Sequence, residues 1–162
     1  MKLVLNLLSI LALSFLIACG GGEKKEATAQ KEESVQAEVV TIELSGDDQM
    51  KFNLKTIDVP AGSTVKINFK HTGQMSMDIM GHNFVLLKAD VDLTEFAMSA
   101  MAAKDTGYIP ADKTDQVIAS TKIIGGGEST TIEFPAPAPG TYKFFCSFPG
   151  HFGTMQGDFI VK

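Results

Sequence analysis

The stretch Cys146-Ser147-Phe148-Pro149-Gly150-His151-Phe152-Gly153-Thr154-Met155 constrains this chain more than any other. It puts a thiol, an imidazole and a thioether on one short segment at the spacing C-x4-H-x3-M. A loop of this form, leaving one strand and entering the next, can fold its three side chains toward one point. A further imidazole, His82 in Met80-Gly81-His82-Asn83, is placed to join them from a neighbouring strand or loop. One thiolate, two imidazoles and a weak thioether are the donor set of a mononuclear type 1 (blue) copper site. Soft sulfur suits Cu(I), and imidazole suits both oxidation states. Such a site passes one electron with little rearrangement.

Each residue has a plainer use on its own. A single Cys near a C-terminus is usually a small buried hydrophobe. A Met four residues from a His usually fills core, and His82 alone would more often be structural. Together they would need several coincidences, given Phe-Cys before the loop and Pro-Gly-His inside it. The copper reading then awaits its strand–loop–strand context.

The rest of the chain supplies short runs that read as strands. Val65, Ile67 and Phe69 alternate with Lys66, Asn68 and Lys70, the period of a half-buried strand. Further runs are Val39 to Leu44, Phe52 to Ile57, Asn83 to Leu87, Gln116 to Ile124, Ser129 to Phe134, Thr141 to Cys146 and Gly157 to Lys162. Turn residues separate them: Ser45 to Asp48, Pro60 to Gly62, Gly125 to Gly127 and Pro135 to Gly140. This spacing predicts an all-β Greek-key sandwich or barrel over residues 39–162. One segment breaks the pattern. Leu93, Phe96, Ala97, Ala100 and Met101 recur at helical spacing, with Asp92 as cap and Glu95 three residues on. A helix over 92–104 is expected there, ending before Gly107, with Phe96 and Met101 packing it onto the strands.

The N-terminus reads as a targeting segment. Lys2 precedes the apolar run Leu3 to Ile17, which is too short and wrongly flanked to span a membrane. It ends Leu16-Ile17-Ala18-Cys19-Gly20, which resembles a bacterial lipobox. That resemblance implies a lipoprotein signal peptide over 1–18 and a lipid on Cys19. An ordinary secretory signal, with Cys19 incidental, is the alternative. Gly20 after the Cys suggests sorting to an outer membrane, facing the periplasm or the surface of a bacterial cell envelope. Residues 19–38 are rich in Gly, Lys, Glu, Ala and Gln, bury almost nothing, and read as a flexible tether. The chain has 14 Lys+Arg against 19 Asp+Glu, and every one of the 14 is Lys. An acidic chain without Arg is a poor match for nucleic acid, whose affinity comes largely from neutralising phosphates.

Around the ligand loop and in Met80-Gly81-His82-Asn83-Phe84-Val85-Leu86, the chain resembles the azurins, a family of small cupredoxin electron carriers. Phe84 stands where azurins usually have Trp. Thr121-Lys122-Ile123-Ile124-Gly125-Gly126-Gly127-Glu128 resembles another azurin stretch. The resemblance runs from Val39 to Lys162 and implies a cupredoxin fold with one short helical flap. It implies an electron carrier rather than an enzyme, with one type 1 copper held by His82, Cys146 and His151. Met155 would be a long, weak axial donor. The Gly81 carbonyl is a weaker candidate on the opposite axial side. Asn83 matches a residue that braces the ligand loop. Azurins typically carry a disulfide, and Gly62 stands where one of its cysteines would fall, so none is expected here.

The residues add detail to that outline. Phe148 can donate its N–H toward the Cys146 sulfur, whereas Pro149 has none to give. His71, eleven residues before His82, is expected as a partly buried non-ligand. His151 is expected near the surface, among Met80, Phe148, Phe152 and some of Met75, Met77 and Met98. That apolar edge would suit brief docking of a c-type cytochrome or a terminal reductase or oxidase. A copper chaperone or store is the rival reading. A copper enzyme would need a second metal site, which three His cannot supply beside this one. A binuclear centre would want a second Cys where Gly150 stands. A surface lipoprotein with a vestigial site is the remaining option.

Overall fold

The computed structural model describes residues 38–162. The segment assigned to a signal peptide, Cys19, and all of the expected tether except Glu38 lie outside the described residues. The strands are β1 (Val39–Gly46), β2 (Thr56–Val59), β3 (Thr64–His71), β4 (Val85–Leu87), β5 (Val117–Ser120), β6 (Ser129–Pro135), β7 (Gly140–Phe145) and β8 (Gln156–Val161). Helices α1 (Met77–Met80) and α2 (Leu93–Ala100) lie on either side of β4, and 3₁₀ segments at Lys104–Thr106 and Ala111–Gln116 follow α2.

The strands form two sheets. One has the order β1-β3-β6, the other β2-β8-β7-β4-β5. In the first, β3 runs parallel to β1 and antiparallel to β6. Val65, Ile67 and Phe69 turn inward from β3, as their alternation predicts, and each is 0–1 % exposed. They meet Ile57, Leu86, Phe144 and Phe159 from the second sheet in one core. The sheets therefore face each other as an open sandwich, not a closed barrel. Burying each such side chain contributes about 1.5–3 kcal/mol, and this core holds the sheets together.

β4 does not alternate: Val85, Leu86 and Leu87 are all buried. The reason is a second layer. Leu86 points to the inter-sheet core, while Val85 and Leu87 pack under α2 with Phe96, Ala97, Ala100 and Phe145. The helix starts as expected, with the Asp92 carboxylate accepting the Glu95 N–H at 2.8 Å. It stops at Ala100, short of the expected 104. Ala102 and Ala103 turn into i→i+3 bonds, and Gly107, in the left-handed region at φ 67°, closes the following 3₁₀ segment instead. Phe96 is buried as expected, but Met101 is 41 % exposed and does not pack the flap. The α1 turn was not legible beforehand, because four residues carry no periodicity. The run expected as a strand from Gln116 to Ile124 ends at Ser120. Beyond it Ile124 bridges to His82, and the Thr121 N–H donates to the Phe84 carbonyl at 2.9 Å.

Candidate metal centre

The loop between β7 and β8 is pinned at its base. Cys146 follows the last residue of β7, Met155 precedes the first of β8, and the Cys146 N–H donates to the Met155 carbonyl at 2.9 Å. Inside it, the His151 carbonyl accepts the N–H groups of Thr154 at 3.1 Å and Met155 at 2.8 Å. Gly150 makes the turn before His151 at φ +83°, a conformation costly for any residue with a Cβ. His82 arrives from the segment before β4. Its N–H and carbonyl pair with Ile124 at 3.0 and 2.9 Å, which fixes the backbone behind the ring.

These constraints bring three of the expected side chains together. His82 Nδ1 lies 3.2 Å from His151 Nδ1. Cys146 Sγ lies 3.9 Å from the first and 3.6 Å from the second. All three residues are buried. A point equidistant from atoms so placed is about 2.1 Å from each, the length of a metal–imidazole bond. The donor set fits a trigonal copper plane with two nitrogens and one thiolate.

The imidazoles are oriented for this. The other nitrogen of His82, Nε2, donates to the Asp47 carbonyl at 2.9 Å. In the neutral ring that leaves the Nδ1 lone pair facing the cluster, the usual way a buried partner sets the tautomer of a liganding His. Burial, first of all, pulls both imidazoles down: His82 falls below its ordinary 6.5, and His151 drops to about 4. Both are therefore neutral and able to donate a lone pair at pH 7. Burial pushes the Cys146 thiol up to about 12, opposed by the backbone N–H groups of Asn83 and Phe148. The metal-free thiol keeps its proton at neutral pH, and a cation in the cluster must displace it.

Met155 is fully buried in the same core as Cys146. Its terminal methyl and His82 Cδ2 flank one spot, each 2.9 Å from where a Cβ on Gly46 would stand. Gly46 is thus glycine for lack of space. Gly81 is similarly enclosed, since a Cβ there would meet Met77 O at 2.5 Å and Ile123 Cγ2 at 2.6 Å. Its carbonyl reaches to 3.9 Å from Cys146 Sγ.

Asn83 ties the two ligand segments together. Its side-chain amide donates to Ser147 Oγ, and its carbonyl oxygen accepts the Ser147 N–H, both at 2.8 Å. The backbone N–H groups of Asn83 and Phe148 both oppose the upward shift that burial gives the Cys146 thiol. His71 is a buried non-ligand. Its Nε2 donates to the Met80 carbonyl at 2.8 Å and its Nδ1 accepts the Gly73 N–H at 3.0 Å. Its ring stacks on that of His82, with centroids 4.3 Å apart.

His151 is less open than its position suggests. It is 3 % exposed, against 0 % for His82, Cys146 and Met155. The residues expected around it differ in exposure. Met75, Met77, Ile79 and Met98 are exposed, whereas Met80, Phe148 and Phe152 are half-buried. Phe148 covers the His151 ring at 4.8 Å and is itself met edge-on by Tyr108 at 5.2 Å.

Three residues at the site are not marked in the sequence: Asp47, Ser147 and Gly46. Asp47 acts through its carbonyl, Gly46 through missing volume, and Ser147 through its contact with Asn83. None leaves a pattern in composition or spacing.

Residues 37–162 match the model of the copper binding proteins of the plastocyanin/azurin family. The azurin of Bordetella pertussis is 41 % identical over 128 residues, covering 76 % of this chain and 84 % of that protein. Auracyanin-A of Chloroflexus aurantiacus is 33 % identical over 163 residues, covering 99 % of this chain and 96 % of that protein. The crystal structure of dithionite-reduced auracyanin from Roseiflexus castenholzii superposes with a TM-score of 0.67 at 37 % identity. It covers 75 % of this chain and 96 % of its own. With the donor cluster standing in a two-sheet sandwich, the chain belongs to the plastocyanin/azurin family of copper-binding proteins.

Proposed function

We propose that this protein is a membrane-anchored carrier of single electrons. Members of its family bind one type 1 copper and carry electrons rather than catalyse a reaction, and this chain does the same. His82 Nδ1, His151 Nδ1 and Cys146 Sγ would hold the copper, with the Met155 thioether and the Gly81 carbonyl as weaker donors. When bound, copper supplies the Cu(I)/Cu(II) couple. The protein contributes rigidity: each donor is fixed from behind, by Asp47, Asn83, Ser147 or the strand ends, so little moves when the charge changes.

The observation that carries this reading is the meeting of three buried donors within 4.8 Å of one another. That burial also weighs against the rival, a chaperone or store, which needs exposed ligands to hand metal on. Electrons enter and leave by the edge where His151 lies under Phe148. The exposed Met77, on the same surface as Phe148 and Tyr108, makes that edge suitable for brief docking of a c-type cytochrome or a terminal reductase or oxidase. The lipobox-like Leu16-Ile17-Ala18-Cys19 supports an acylated Cys19, with residues 19–38 holding the domain off the membrane. Gly20 favours the outer membrane, facing the periplasm or the surface.

Stopped-flow mixing of the copper-loaded protein with a reduced c-type cytochrome tests the carrier. Fast electron exchange with copper retained is expected. Ready loss of copper to an acceptor with slow electron exchange would favour the chaperone. For the anchor, Cys19→Ser should release the protein from the membrane fraction or block its processing, leaving the copper site unchanged. An intact residue 1–18 segment on the mature wild-type protein would contradict lipidation.

A further inference from the structure

Lys55 lies before β2, and nothing in the sequence marks it. Yet its side chain ends on the ligand loop. Its Nζ donates to the Thr154 carbonyl at 2.6 Å and to the Gln156 carbonyl at 3.3 Å. Those two residues flank Met155. The carbonyl between them, that of Met155, accepts the Cys146 N–H at 2.9 Å. Three successive carbonyls are therefore tied, two of them by one ammonium. Lys55 is itself anchored, because its own carbonyl accepts the Asp158 N–H at 2.9 Å. The approach depends on Gly157: a Cβ there would stand 2.5 Å from the Lys55 carbonyl and from Phe144 Cζ.

We infer that Lys55 is a positioning residue for the Met155 thioether, setting its distance from the metal by clamping the peptides on both sides of it. The inference rests on the axial role proposed for Met155. A long, weak donor is not held by its own bond to the metal, so its backbone must hold it. Hydrogen bonds from an ammonium are among the stronger ones available for that purpose. Lys55 is solvent-exposed, so salt screens its charge at a distance but leaves its direct hydrogen bonds in place. This separates a clamp from a remote positive charge. Loss of a remote charge would disfavour Cu(I). Loss of the clamp lets the thioether recede, which favours Cu(I).

The test uses the full copper-loaded chain with Lys55→Met, Lys55→Gln and Lys55→Arg, at low salt and at about 1 M salt, where the screening length is about 3 Å. At high salt the Cu(I)/Cu(II) ratio at a fixed ambient potential should rise about three- to tenfold in the first two variants, the scale of one net hydrogen bond. Lys55→Arg should restore the wild-type ratio. In a Met155→Leu background, Lys55→Met should then change little, because the donor it positions is gone. In the metal-free chain, the labelled Met155 methyl should shift and lose order in Lys55→Met. A change in ratio that disappears at high salt, or that survives in full in the Met155→Leu background, would overturn the clamp. A Met155 methyl identical in wild type and Lys55→Met would also overturn it. If Met155→Leu alone leaves the ratio unchanged, the axial role fails, and the clamp fails with it.

Discussion

Asn83 and Ser147 grip each other by two hydrogen bonds of 2.8 Å, side-chain amide to hydroxyl and backbone N–H to side-chain carbonyl. One residue follows the ligand His82, and the other follows the ligand Cys146. The pair therefore fixes the separation of two donors without touching the metal position itself. Asn83→Leu keeps the branched heavy-atom shape and strands two buried Ser147 groups. It should cost about 2–4 kcal/mol of stability. Thermal unfolding of the metal-free protein measures the loss. An unchanged midpoint would show that the bond pair does not hold the loops.

Gly46 is limited by space. A Cβ there would sit 2.9 Å from both His82 Cδ2 and the Met155 methyl. Gly46→Ala must push one of them aside, at about 1–3 kcal/mol. Both are proposed copper donors, so the visible spectrum and the potential should change together with stability. A variant with lower stability but an unaltered spectrum would mean that the neighbouring backbone yields instead.

The metal-free protein should be most stable between about pH 6.5 and 9. Unfolded, an imidazole takes up its proton below 6.5, but burial delays His151 to about 4 and lowers His82 as well. The unfolded state then binds more protons, and stability falls from pH 6.5 toward 4. On the alkaline side, unfolded Cys146 ionises near 9.0 while the buried thiol waits until about 12. Stability therefore falls again above pH 9. Urea unfolding across this range reads the profile. His151→Gln should flatten the acid limb, and Cys146→Ala the alkaline one. Limbs unchanged by these variants would assign them to other groups.

Phe152 is half-buried against the α2 layer, so a charge placed there would disturb packing as well as docking. Met77 is a cleaner probe at 47 % exposure. Met77→Glu should slow electron exchange with a c-type cytochrome about tenfold, the cost of one ill-placed charge at a small interface, with copper affinity unchanged. Equal rates from low to high salt would move the docking face elsewhere.

The donors were legible because chemistry restricts them. Cys146 and His151 share one loop, and few side chains can do what they do. The β3 alternation and the Asp92 cap were legible for a similar reason: each is a local pattern with one physical meaning. The end of α2 was not, because Ala102 and Ala103 suit a helix and only the geometry of the following turn stops it there. The enclosure of His151 was hidden too, since it depends on where the Phe148 ring packs in space. Asp47 acts through its own peptide carbonyl and Lys55 on those of Thr154 and Gln156, and every residue type carries one.

The most direct test of the account is to titrate the purified metal-free chain with Cu(II) while recording its visible spectrum. An intense blue thiolate-to-copper band should grow and stop at one equivalent. It should bleach on one-electron reduction and return on reoxidation, and Cys146→Ala should not develop it. A wild-type protein that stays colourless with copper, or a band that persists without Cys146, would contradict the copper centre built from His82, Cys146 and His151.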